Sequence, residues 1–339
     1  MNIPYRTRQV LKRGAVVLMI VLLAAALVWV CWLVWLGRYI VYTRDEGAVL
    51  GTNSVEDIQG QPALPPEDQE TVSIYYNEGD NAINTSTELL QMVGYYATAE
   101  DLRAGVDTVR SQIQNLEKDI PVMLDVKSIA GSFFYSSAVS DSRDSAVDTE
   151  AMDGLIKYLK SSGRYAIARL PALRDRNYGL NHVSDGVFHS SRQYLYMDDD
   201  SCYWLNPASQ GTVTYLVQIV TELKELGFDE VVFTDFRFPA SDKIYFDGDK
   251  AKAIADTAGI LVTTCATNNF AVSFVGGADF ALPEGRSRLY VESAVAAEAA
   301  GIAQQTGLAD PAIRLVFLTE VHDTRFDAYS VLRPLSSAH

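Results

Sequence analysis

Val231-Val232-Phe233-Thr234-Asp235-Phe236-Arg237-Phe238-Pro239 closes a stretch that begins at Trp204-Leu205-Asn206-Pro207 and passes through a helix-like run. An unbroken series of β-branched and aromatic residues favours a strand buried on both faces. Pro239 has no N–H to give a sheet ladder, so the strand must end close to it. Asp235 and Arg237 therefore fall at a strand's carboxyl end, where barrel enzymes carry their catalytic groups.

The same pattern extends to both sides. Strand-like runs at 92–97, 120–126, 164–170, 230–236, 270–275, 288–293, 313–319 and 328–333 alternate with helix-periodic segments at 99–118, 149–162, 210–227, 248–266 and 294–306. Thr98 stands before Glu100 and Asp101 as an N-cap does, and Gly163 and Gly227 stand where helices should stop. Strands alternating with helices over about 250 residues describe an α/β fold, the (β/α)8 TIM barrel. An open doubly wound sheet is the other solution, but no GxGxxG loop follows the first strand.

Charged residues recur at the ends of these apolar strands: Asp125 and Lys127 after the second, Arg169 in the third, Asp235 with Arg237 after the fourth, Glu292 after the sixth and Glu320 after the seventh. A buried charge without a partner is costly, so such groups must pair or face a wet cleft. We expect Asp125, Arg169, Asp235, Glu292 and Glu320 to converge at one barrel mouth, either as ion pairs that tie its rim or as a functional site.

Four blocks resemble the bacterial "putative glycoside hydrolase domain" family, which is distantly similar to the α-amylase-type and α-galactosidase-type barrels. They are Gly94-Tyr95-Tyr96-Ala97-Thr98; Leu124-Asp125-Val126-Lys127 with Gly131 and Tyr135; Ala166-Ile167-Ala168-Arg169 with Asp175; and Trp204-Leu205-Asn206-Pro207 together with Gly227-Phe228-Asp229-Glu230 to Arg237-Phe238-Pro239. The resemblance covers roughly residues 90–240. It departs at one place. In the family the acid stands three residues before Arg-Phe-Pro, the position that Thr234 holds here, and Asp235 is one residue later. A shift of one position turns a strand side chain to the other face. Either the strand end is bulged or the catalytic acid is lost.

Glycoside hydrolysis needs two carboxyl groups, one to protonate the leaving oxygen and one to attack or to activate water. The related barrels place the nucleophile at the end of the fourth strand, which implies Asp235 here. Arg237 or Arg169 could keep it ionised by pairing. The α-galactosidase-type pattern implies Glu292 as the acid, with Glu320 and Asp125 as alternatives. Arg169, Arg237, Lys127, Tyr96, Trp204 and Asn206 are candidates for contacting a sugar. Tyr95, Tyr135, Tyr178 and Tyr203 also lie on or near the loops after strands, where aromatic rings either stack on pyranoses or fill the core.

Other chemistries find little support. Asp198-Asp199-Asp200 offers oxygens to a hard cation but lacks EF-hand spacing and reads as a solvated loop. His182 and His189 read as polar groups of the long third loop. No histidine–cysteine ligand spacing, GxSxG elbow or HExxH motif occurs, so we expect no metal or cofactor. Cys202 and Cys265 are too few to imply a disulfide framework.

The N-terminus predicts the compartment. Gly14 to Leu36 is uncharged and apolar, and roughly 20 such residues cross a bilayer. Trp29, Trp32, Trp35 and Tyr39 crowd its far end as an interfacial belt does. Arg6, Arg8, Lys12 and Arg13 precede it and only Arg38 and Arg44 follow, which predicts a cytoplasmic N-terminus and an exported remainder. The expected organisation is a basic tail at 1–13, a transmembrane helix at 14–36, a juxtamembrane segment and linker at 37–72, and a barrel at 73–339. Beyond residue 44, 22 basic residues face 43 acidic ones, a formal charge of −21. That excludes nucleic acid as a bulk-charge partner and suits a solvated acidic surface. The sequence thus predicts a membrane-anchored, extracytoplasmic glycoside hydrolase-like protein acting on a cell-surface or environmental glycan. The alternative is a catalytically silent barrel that binds glycan or a protein partner at the envelope.

Overall fold

The computed structural model describes residues 40–43, 47–50 and 89–338. The predicted transmembrane helix at 14–36 and the basic tail at 1–13 lie outside these residues. Among the described residues no helix is long and apolar enough to cross a membrane. Within the stretch read as linker, Ile40–Thr43 and Gly47–Leu50 pair as an antiparallel hairpin. Residues 73–88 are also outside the described part, so the barrel is seen from residue 89 onward.

Eight parallel strands close into a barrel. In chain order they are β1 (Val93–Ala97), β2 (Val122–Asp125), β3 (Ala166–Pro171), β4 (Glu230–Thr234), β5 (Ala271–Val275), β6 (Leu289–Glu292), β7 (Leu315–Leu318) and β8 (Ser330–Pro334). Each pairs with its sequence neighbours, and β8 closes on β1 through Leu332 opposite Gly94. The crossover helices are α1 (Ala99–Asn115), α2 (Thr149–Ser162), α3 (Arg176–Asn181), α4 (Gln210–Leu226), α5 (Lys250–Cys265), α6 (Ala299–Thr306) and the short α7 (Pro311–Arg314). The expected helix over 294–306 is in fact a 3-10 turn, Ala296–Glu298, leading into α6. No helix lies between β5 and β6, where the chain crosses by a loop.

The local signals act as the residues dictate. Thr98 and Asp101 form a capping box on α1, and Gly163 and Gly227 end α2 and α4 at φ 67° and 99°. Alternation along the strands sorts the core into two layers. Met123, Ile167, Val232, Tyr290, Val316 and Leu332 fill the barrel interior. Leu124, Ala168, Val231, Phe233, Val272 and Phe274 face outward and pack with the helices.

At the end of the barrel where the strands begin, one buried carboxylate is fully used. Glu230 pairs with Arg288 at 2.5 Å and accepts from the hydroxyls of Tyr165 (2.8 Å), Ser273 (2.5 Å) and Tyr290 (3.0 Å). A network satisfied in this way seals the floor of the barrel.

β4 ends at Thr234, two residues earlier than its apolar run predicts. Asp235 takes φ +50°, a left-handed conformation that breaks the extended chain. Phe236 then folds back into the outer core against Phe274 at 4.7 Å. The loop after β3, which holds α3, is pinned to the loop after β4 by an antiparallel pair, Phe188–His189 with Ile244–Tyr245.

Candidate active site

One group of side chains bridges the barrel mouth. Arg169 Nε donates to Asp125 Oδ1 at 2.6 Å and its Nη2 to Oδ2 at 3.1 Å, while Nη1 reaches across to Glu292 Oε1 at 3.1 Å. Asp125 Oδ2 also accepts the Ala99 N–H at the start of α1 at 2.7 Å. Both Asp125 oxygens are therefore committed, and its part is to hold the Arg169 fork in place. Glu292 keeps one oxygen free and is 44% exposed. The Arg169 guanidinium lies 5.7 Å over the Tyr96 ring. Burial raises the Tyr96 hydroxyl above its ordinary value, and Glu320 and Glu292 add to the rise. Tyr96 is thus a neutral hydrogen-bond donor at the rim. Glu320 is exposed and near enough to act on Tyr96.

A second group surrounds Asp235. Burial raises its carboxyl above the usual range, and Arg174, Arg237 and Lys127 pull it part of the way back. Among the described residues this carboxylate accepts no hydrogen bond and makes no ion pair. Arg169, which could have paired with it, is occupied by Asp125 and Glu292. Arg237 acts on Asp235 through space. It lies 5.2 Å over the Trp204 ring and, among the described residues, donates to the Phe238 carbonyl. Arg174 lies over the same ring at 5.7 Å. Sequence reasoning passed over Arg174; its only signal is a charge just beyond the apolar end of β3.

The acidic run has a structural use. Asp198 accepts from Arg174 Nε at 2.6 Å and from the Trp204 indole at 2.9 Å, and Asp200 pairs with Arg174 as well. Among the described residues no cluster suited to a metal ion occurs.

The structure separates several of the sequence candidates. Asp125, Arg169 and Glu292 are in contact, Glu320 sits beside Tyr96, and Asp235 touches none of these carboxylates. Lys127, expected to reach a sugar, is instead fully buried: Nζ pairs with Asp175 Oδ2 at 2.6 Å and donates to the Pro171 carbonyl at 3.2 Å. Trp204 is 4% exposed, so it serves as a bed for two guanidinium groups rather than an open stacking face. Tyr135 is core, with its hydroxyl on Glu222 at 2.8 Å. Asn206 is half-buried and its carbonyl takes the Ala208 N–H, a turn contact before α4. Cys202 and Cys265 are both free thiols.

Beside this mouth lies a cleft of about 380 Å³ between the loop after β2 and α3, lined among others by Asn177, Tyr178, Asn181 and His182. None of Asp125, Arg169, Asp235 or Glu292 lines it. The half-buried Asp141 is the acid on the cleft wall.

A model of the family described as "Putative glycosyl hydrolase domain" matches residues 94–271, just over half of the chain. No curated protein matches it. Among solved structures, a hypothetical protein from Ruminiclostridium thermocellum ATCC 27405 is similar at 20% identity over 53% of this chain and 96% of its own, with TM-score 0.43. The alpha-galactosidase from Lactobacillus brevis is similar at 12% identity over 73% of this chain, with TM-score 0.49. This chain spans only 38% of that enzyme's length. The glycoside hydrolase domain of PelA from Pseudomonas aeruginosa is similar at 13% identity over 72% of this chain and 94% of its own, with TM-score 0.43.

Proposed function

Because the chain belongs to this glycosyl hydrolase-like domain family, we propose that it cleaves O-glycosidic bonds of a cell-surface or environmental glycan at the barrel mouth, on the outer side of a membrane held by residues 14–36. The observation that carries the proposal is Asp235. It is a half-buried carboxyl group without a hydrogen-bond partner among the described residues, held protonated to higher pH by burial, at the end of the fourth strand. Burial that raises a carboxyl favours its acid form, the form that gives a proton to a leaving oxygen. This reading exchanges the roles expected from the sequence, Asp235 as nucleophile or base and Glu292, Glu320 or Asp125 as the acid. Glu292, steadied on one oxygen by Arg169, is the second carboxylate, free on its other oxygen to attack or to activate water. Arg169, Tyr96 and Arg237 provide donors for sugar hydroxyls at the rim.

The test is hydrolysis of a glycan panel by the full-length chain with product analysis. Asp235→Asn should lower turnover by about 10²- to 10⁴-fold with folding unchanged. A variant with full turnover eliminates the assignment. The silent-barrel reading is favoured by one observation, that Thr234 holds the inward strand position and Asp235 is displaced into a left-handed turn. Glycan binding without any product would establish it. Protease added to intact protoplasts should degrade the barrel, and full protection would refute the proposed topology.

A further inference from the structure

Resting on that reading, we propose that the cleft beside the mouth is a second carbohydrate subsite, which takes uncharged sugar units of the same glycan while the strand-end carboxylates hold the bond to be broken. Its volume of about 380 Å³ lies within the ~300–1,000 Å³ range of small-ligand sites. One wall is a row of parallel rings, with His182 stacked on Tyr178 at 4.0 Å and Tyr178 on Tyr215 at 4.0 Å. The other polar groups come from Ser140, Asp141, Ser142, Asn177 and Asn181.

Several of these groups are anchored on one side and open on the other. Asn177 gives its N–H to Ser142 at 2.6 Å, and Asn181 gives its N–H to the Asn177 carbonyl at 2.9 Å, which leaves both amide oxygens to accept. His182 uses Nδ1 on the Tyr178 carbonyl at 3.1 Å, so Nε2 points away from that contact. Amide oxygens, a ring nitrogen and hydroxyls beside aromatic rings match the mixed donor and acceptor surface of a neutral sugar. No lysine or arginine lines the cleft, and Asp141 does, so an anionic sugar finds repulsion and no counter-charge.

The cleft is also built rigidly and from the mouth's own loops. Asp175 Oδ1 caps α3 through the Tyr178 N–H at 2.8 Å, and Oδ2 takes the Tyr215 hydroxyl at 2.9 Å and Lys127 at 2.6 Å. One buried pair thus fixes both the ring stack and a charge that acts on Asp235. The cleft walls come from the loops that follow β2 and β3, the strands that carry Asp125 and Arg169, so both sites lie at the carboxyl end of the barrel.

The experiment measures affinity of the full-length chain for neutral gluco- and galacto-oligosaccharides of one to six units, and for uronate oligomers of equal length. Asn181→Ala and His182→Ala alter exposed side chains, and the far-ultraviolet circular dichroism of each should match the wild type. Each should weaken binding of the longer neutral oligomers by about three- to tenfold, the worth of one hydrogen bond, with monosaccharide affinity unchanged. Asp235→Asn should keep the length dependence. Equal binding of all lengths by wild type and both variants, with cleavage intact, overturns the subsite alone. Absence of any neutral-sugar binding or cleavage overturns the subsite and the glycosidase reading together. Tighter binding of uronates than of neutral oligomers overturns the assigned sugar class.

Discussion

Replacing Lys127 by methionine separates a structural lysine from a sugar-binding one. The Lys127 and Asp175 side chains are both fully buried and their charged atoms are 2.6 Å apart. Lys127→Met keeps the apolar stem and removes the ammonium group. Asp175 then retains the Tyr178 N–H and the Tyr215 hydroxyl but has no counter-charge. Removing one partner of a buried pair costs about 3–5 kcal/mol. For a domain of this size about 2–4 °C of melting temperature corresponds to each kcal/mol, so thermal unfolding should fall by about 6–20 °C. Lys127→Met with Asp175→Asn should recover much of the loss, because no buried charge is then left unpaired. Lys252→Ala is the control: it and Asp256 are 69% and 57% exposed, and breaking that pair should cost about 0.5 kcal/mol or less. A Lys127→Met protein that melts with the wild type, or a double variant no better than the single, would refute the argument.

Asp235 gives two pH predictions. Its folded pKa is raised by burial, so the fold prefers the protonated form; the resulting penalty is absent below the unfolded value of about 3.9, grows as pH rises from there and is complete above the folded value. Asp235→Asn should therefore melt above the wild type at pH 7 and together with it below about pH 4, and identical melting at both would contradict the shift. Arg237 pulls the Asp235 carboxyl down, so Arg237→Ala should move the basic limb of the activity profile to higher pH; a profile that stays in place would show that the two groups are uncoupled. Gly131 has φ +80°, and a Cβ there would meet Asp175 Oδ1 at 2.1 Å. Gly131→Ala should cost about 1–3 kcal/mol from the backbone conformation alone, read by denaturant unfolding, and a neutral result would contradict the left-handed conformation at Gly131.

The strands and helices were legible because their signals are local. Apolar runs of strand length, helical periodicity and the stops at Gly163 and Gly227 act within a few residues, and each reappears in the barrel. The charges that follow these apolar runs were legible in the same way. The partners of those charges were not legible, since they come from strands and loops far apart in sequence. Arg169 and Glu292 are 123 residues apart, and Lys127 reads as a rim cation until Asp175 is found behind it.

The sequence by itself determined the barrel, because eight short hydrophobic strands joined by amphipathic crossovers have few other ways to bury their faces. The tertiary structure alone decided which strand-end groups are tied and which are free. Asp125 is consumed in holding Arg169, and Arg169 is thereby kept from Asp235. The left-handed turn at Asp235 replaces the two extended residues that the apolar run predicted. Phe236 is buried against Phe274 on the neighbouring strand, a contact that no local pattern records. The free carboxyl group of Asp235 follows from that packing, since the groups that could have satisfied it are held by other elements of the barrel.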